Sequence, residues 1–282
     1  MNKIYDGSET GKMRESLIQK KTGKTIPYDA SNVEGSIFET NMVKLSHKLR
    51  PKRRTWFSRL KKKERLKNKD YLVNEQFKTL KIRILHSHNG NPPRTILIAS
   101  ALANEGKSTV ATNLAINIAQ GVKEHALLID CDLKKPDLHN RFGFAPDKGL
   151  ADYLSGNLEL SEILVKTNTP KLTLLPVGKA PSNPVDLIAS EKMKQLIREL
   201  KNRYEDRYII FDSSPIQLTA EPTALISEVD GVILVVRAGK TNRDTILRII
   251  QDIEKEKLLG IVLNGLEKSL STRYYYNYYR YY

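Results

Sequence analysis

The sequence predicts an α/β domain, doubly wound, in which a mostly parallel sheet carries helices on both faces. Three observations carry that prediction. Continuous runs of Ile, Leu and Val of strand length recur along the chain, stretches of helical period separate them, and 40% apolar residues over 282 positions suffice for a substantial core. Strand runs are TILIAS at 95–100, ALLID at 126–130, LTLLPVG at 172–178, RYIIFDSSP at 207–215, GVILVVRAG at 231–239 and LLGIVLNG at 258–265. Helical patterns lie at 108–121, 189–204 and 243–257. A further helix is expected from Asp70, where Leu72, Phe77, Leu80, Ile84 and Leu85 fall on one face before the NGNPP loop at 89–93.

Residues 1–68 mix Gly, Ser, Asn and charges without a sustained apolar period and are predicted to be mostly disordered. The expected organisation is an extension over 1–69, a folded domain over 70–270 and a tail over 271–282. Net charge follows the same division. Residues 1–70 hold 19 Lys+Arg against 8 Asp+Glu, so +11 of the chain's +15 belongs to the extension. Most of it sits in HKLRPKRRTWFSRLKKKERLKNK at 47–69, with Trp56, Phe57 and Leu60 embedded. That mixture suits an anionic membrane surface, where cations meet headgroups and aromatics sit at the interface. A solvated basic linker is the competing reading. Nucleic-acid binding is disfavoured, since no nucleic-acid module accompanies the run.

No stretch approaches the roughly 18–20 apolar residues that a membrane-spanning helix needs. The opening MNKIYDGSETGK has no signal-peptide apolar region, and the lone Cys131 fits a reducing compartment. The expected location is cytoplasmic, peripheral to the inner face of the plasma membrane.

The chemistry concentrates at strand ends. ALANEGKST at 101–109 follows a predicted strand and opens a predicted helix, the context in which G-x-x-x-x-G-K-[ST] signifies a phosphate loop; Ala101 replaces the first glycine. Glu105, Gly106, Lys107, Ser108 and Thr109 form the predicted nucleotide-binding turn. Gly106 lets the backbone approach phosphate, Lys107 reaches the β- and γ-phosphates, the Ser108 hydroxyl binds magnesium, and the helix-start amides receive anions. In LLIDCDLKKPD, Asp130 and Asp132 lie two apart, so period-2 geometry aims both to one side at the end of a parallel strand; Cys131 points the other way and reads as a small buried residue. Asp212, in YIIFDSSP, is the aspartate expected to support magnesium through water. A tyrosine cluster follows: Tyr274, Tyr275, Tyr276, Tyr278, Tyr279, Tyr281 and Tyr282 fill seven of the last nine positions, too many rings for a terminal run to bury.

Over residues 70–282 these features resemble the bacterial tyrosine kinases of polysaccharide export, a group within the P-loop NTPases related to MinD and ParA. The family's D-x-D followed by Leu-Arg-Arg-Pro is matched by Asp130, Asp132, Leu133 and Pro136, with Lys134 and Lys135 for the arginines. APSNPVDLIASEKM at 180–193 resembles its Pro-Asn-Pro-x-Glu-Leu-Leu-x-Ser segment, with Asp186 for Glu. EQFKTLK at 75–81 resembles its E-x-x-R-x-x-R oligomer helix, with Glu75 kept and Lys78 and Lys81 for the arginines. Leu102 stands where MinD and ParA carry a lysine that the kinases also lack.

The resemblance implies a P-loop fold, ATP and Mg2+ as cofactors, and autophosphorylation of the seven tail tyrosines on neighbouring subunits. Lys107, Asp130, Asp132 and Asp212 would be catalytic, with Asp130 taking the phenolic proton. Ser108, Asp132 and Asp212 would hold the metal, and Asn264, in NGL, would contact adenine. It implies as partners a transmembrane polysaccharide co-polymerase (Wzz-like) activator and a homo-oligomeric ring. The competing reading is a MinD/ParA-like ATPase switch without tyrosine kinase activity.

Overall fold

The computed structural model describes residues 3–6, 71, 73–86, 92–156, 158–203 and 206–265. Their architecture is an eight-stranded sheet in the order β1-β8-β7-β2-β6-β3-β5-β4. The strands are β1 Lys3–Asp6, β2 Thr95–Ser100, β3 His125–Asp130, β4 Val165–Lys166, β5 Leu172–Leu175, β6 Arg207–Asp212, β7 Gly231–Arg237 and β8 Leu258–Asn264. All pairings among β2, β3, β5, β6, β7 and β8 are parallel. The two edges, β1 on β8 and β4 on β5, are antiparallel. Six strands match the apolar runs, whose ends are trimmed where the chain leaves the sheet. Lys3–Asp6 supplies an edge strand from within the extension, and the short β4 closes the other side.

Alternation along each strand sorts its side chains onto the two faces. Leu97, Ala99, Leu127, Ile129, Phe211 and Leu234 enter one core. Ile96, Ile98, Ala126, Leu128, Ile210 and Ile233 enter the other. On the first face lie α6 (Pro184–Ile188), α7 (Glu191–Arg203), α8 (Glu221–Glu228) and α9 (Arg243–Asp252). α7 buries Met193, Leu196, Ile197 and Leu200, one stripe at helical spacing. On the second face lie α1 (73–85), which buries Val73, Phe77, Leu80 and Ile84, and α2 (Lys107–Ala119). α2 is buried on nearly every side because sheet and α1 enclose it.

Three short helices, α3 (Leu138–Phe142), α4 (Leu150–Ser155) and α5 (Leu160–Ile163), occupy the long crossing between β3 and β5. The sequence pattern did not signal them, because elements of four to six residues carry less than two turns of periodicity.

Phe211 is fully buried in the central strand β6. Phe211→Ala is expected to cost about 3–5 kcal/mol, seen as a lowered denaturant midpoint with little change in slope.

Candidate active site

The carboxyl ends of β2, β6 and β3, adjacent in the sheet, bring together the loop 101–106, Asp212 and the Asp130–Asp132 pair. This is where an open parallel sheet forms its ligand crevice. Asp130 and Asp212 are direct register partners across β3 and β6, so the strand pairing itself forces two carboxylates side by side.

The loop is stitched down from beneath. Glu105, only 2% exposed, turns its carboxylate inward. Oε2 accepts from the Leu102 N–H at 2.7 Å, while Oε1 accepts from the Arg237 N–H at 3.3 Å and from the Thr241 hydroxyl. Arg237 in turn donates through Nη1 to the Asn104 carbonyl at 3.1 Å. The Asn264 amide donates to the Glu105 carbonyl at 2.8 Å. The loop turns through Asn104 and Gly106 at φ 62° and 98° before α2 begins at Lys107. Gly106 is required twice over. Its φ is left-handed, and a Cβ there would stand 2.0 Å from Asn264 Nδ2.

Two residues have contacts within the loop that the sequence did not signal. The Glu105 carboxylate anchors the loop, leaving only its backbone amide to a ligand. Asn264, expected at the adenine ring, has its amide engaged with the loop.

Lys107, Ser108 and Thr109 open α2. Lys107 is largely buried, and its charge bears on both Asp132 and Asp212. Ser108 is hydrogen-bonded to Asp212, and Thr109 receives Arg141 Nη1 at 3.2 Å. Arg141 belongs to α3, and its Nε also donates to Asp137 Oδ2 at 2.7 Å. The sequence reading missed it, since nothing in an isolated arginine 32 residues from Thr109 signals the contact.

The aspartates differ sharply in surroundings. Asp130 is completely buried, and its oxygens accept the Asp132 and Leu138 N–H groups, each at 3.2 Å. Burial and the neighbouring Asp212 charge push its pKa well above the ordinary range. Asp130 thus holds the 131–138 turn, each of its oxygens accepting one backbone amide away from solvent. Asp132 is half-buried and accepts the Lys135 N–H at 3.1 Å; burial raises its pKa, while Lys107 opposes the rise. Asp212 is pushed up to about 6 by burial, against the Ser108 hydrogen bond and the Lys107 charge, and its Oδ1 has no hydrogen-bond partner. Cys131 is fully buried with its thiol pushed up by that burial, as expected of an inert residue.

An orphaned, buried carboxylate oxygen beside a serine hydroxyl at a phosphate loop fits a hard divalent cation that takes oxygen ligands. Among the described residues no three His, Cys, Asp or Glu side chains converge to cage a metal. The tyrosines 274–282 and the basic stretch 47–69 lie outside the described residues. Among the described residues no helix is long and apolar enough to cross a membrane.

Fold and loop define a phosphate-loop nucleotide-binding domain, and the family model described as an AAA domain matches residues 94–260, more than half of the chain. The tyrosine-protein kinase CpsD of Streptococcus agalactiae is 36% identical over 204 residues, 71% of this chain and 86% of its own. The tyrosine-protein kinase YwqD of Bacillus subtilis is 35% identical over 210 residues, 74% of this chain and 86% of its own. The kinase domain of the Escherichia coli tyrosine kinase ETK superposes with a TM-score of 0.60 at 27% identity, covering 68% of this chain and 73% of that one. The chain belongs to the bacterial tyrosine-protein kinases, and these relatives do not favour the MinD/ParA-like switch as its activity.

Two outcomes follow from the site. Gly106→Ala is expected to cost about 1–3 kcal/mol through strain and the clash with Asn264, read as a lower unfolding midpoint together with weakened nucleotide binding. Asp212 has a folded-state pKa above its ordinary 3.8. Its contribution to stability is therefore fully present below about pH 4 and is lost as pH rises through about 6. Asp212→Asn is expected to make that slope shallower, leaving the share that buried Asp130 contributes, and to stabilise the nucleotide-free protein at pH 7 by about 1–3 kcal/mol, measured by unfolding at several pH values.

Proposed function

We propose that this kinase transfers the γ-phosphoryl group of ATP to tyrosines 274–282 of a neighbouring copy, and that the reaction regulates polysaccharide polymerisation and export. The observation that carries the reading is the meeting of Lys107, Ser108 and Asp212 at the start of one helix, in a chain whose sequence also holds seven clustered tyrosines. Lys107, Gly106 and the helix-start amides bind and neutralise the phosphates, which supplies most of the catalysis in this reaction class. Ser108, Asp132 and Asp212 would hold Mg2+, whose role is to neutralise charge on the β- and γ-phosphates. Asp130 positions Asp132 by fixing the turn between them. Its rigidity comes from burial, and the loose transition state of phosphoryl transfer asks more of positioning and charge than of a strong base.

Each phosphate adds about 1.5–2 negative charges, so a heavily modified cluster repels its neighbours and loosens an assembly. The proposed assembly is a homo-oligomeric ring. Glu75 on α1 is kept from the family motif but pairs with Lys78 of its own helix at 2.7 Å. The proposed activator is a membrane protein of the co-polymerase type, and the proposed location is the cytoplasmic face of the membrane, with residues 47–69 on anionic lipid. Support for these comes from the family resemblance and the charge pattern.

The test mixes an active chain lacking residues 271–282 with a full-length Lys107→Met chain, in labelled ATP, with and without the partner's cytoplasmic segment. Phosphotyrosine on the Lys107→Met chain is the expected result. Label that never appears there, while full-length active protein labels itself, would show transfer confined to one subunit. Bound nucleotide with no phosphotyrosine in any mixture would sink the reading.

A further inference from the structure

We infer that Glu221 is a positioning residue that holds Lys134 at the rim of the phosphate site, making Lys134 a second lysine directed at the terminal phosphate of the nucleotide. The inference rests on the site being a nucleotide-phosphate site, as proposed above. Glu221 opens α8 and is only 2% exposed, yet it is a carboxylate. Its Oε1 pairs with Lys134 Nζ at 2.9 Å, whereas Oε2 is buried with no hydrogen-bond partner. Burial acts to raise its pKa, but the Lys134 hydrogen bond, with smaller help from its own backbone N–H, the Thr219 hydroxyl and the Lys134 charge, outweighs burial and holds it below the ordinary carboxylate range. Glu221 is thus a buried, ionised group whose partner is a lysine that keeps 42% of its side chain in solvent.

A buried carboxylate satisfied on one side only is a poor stabilising device, since an apolar side chain of similar size serves packing as well. Its placement explains it better. Lys134 lies two residues beyond Asp132, in the turn closed by the Lys135 N–H on the Asp132 carboxylate. The charges of both Lys107 and Glu221 bear on Asp132. Asp132 therefore shares its surroundings with the loop lysine and with the Lys134–Glu221 pair. A polyphosphate held by the loop would meet Lys107 from α2 and Lys134 from the β3 turn. Lysine acts on phosphate as a point charge on a flexible stem, so it needs an anchor to be held in one place, and Glu221 is that anchor. Arginine at position 134 would keep both the charge and the pair.

The experiment measures the affinities of the full chain for fluorescently labelled ATP and ADP, with no requirement for phosphotyrosine, so that it stands apart from the test of kinase activity. Lys134→Met is expected to weaken ATP by roughly tenfold while ADP changes by less than about twofold, because only the terminal phosphate loses a charge-assisted contact. Glu221→Gln is expected to shift the ATP/ADP ratio in the same direction by a few-fold, and Lys134→Arg to leave it within about twofold. The double variant Lys134→Met/Glu221→Gln removes both charges, so it leaves no unpaired buried carboxylate to unfold the protein; it should bind ATP no worse than Lys134→Met alone. Equal losses for ATP and ADP in these variants would overturn the inference. So would a Glu221→Gln protein with a changed melting temperature and an unchanged ratio, for the pair would then be structural only.

Discussion

The site depends on one buried carboxylate. Glu105 ties the phosphate loop to the end of β7 and to the segment that follows it through Leu102, Arg237 and Thr241, and Asn264 at the end of β8 ties the same turn again. Two residues of that loop, Asn104 and Gly106, sit at positive φ. The strain is held by bonds from below, so the cradle is formed before any phosphate arrives. That preorganisation is what makes electrostatic catalysis effective, because the dipoles need no rearrangement as charge develops.

The same economy governs the acids. Parallel pairing of β3 with β6 sets Asp130 against Asp212, and burial removes the water that would screen them. The protein resolves the repulsion unequally. Asp130 spends both oxygens on the turn that carries Asp132, Lys134 and Lys135. Asp212 keeps one oxygen on Ser108 and leaves the other unmet. Such a site is unstable relative to an apolar one and gains its balance from cations, one of which, Lys107, is part of the fold. Stability is given up where function is concentrated.

Departures from the kinase family's sequence pattern become intelligible in these terms. Lys134 and Lys135 for the two arginines keep positive charge at the rim while losing the planar fork, and a point charge requires a carboxylate such as Glu221 to fix it. Lys78 for arginine on α1 is engaged by Glu75 within its own helix, and Lys81 approaches Glu124 at 3.7 Å.

What the sequence determined by itself is the class of fold and the roster of chemistry. Six apolar runs declared the parallel strands, because a strand buried on both faces has no polar side to show, and Lys107 and Ser108, opening the helix after the first of them, and Asp132 and Asp212, at or just past strand ends, stood out by type and position. The tyrosine cluster was equally plain, as composition needs no tertiary context. Only the tertiary structure decided which members face the site. It turned Glu105 and Asn264 toward the loop backbone, enclosed Asp130, and brought Arg141 and Glu221 to the site from segments with no motif. The reason is physical: a side chain's partners across the sheet are set by strand order and register, and those arise from the packing of the whole chain rather than from neighbours in sequence.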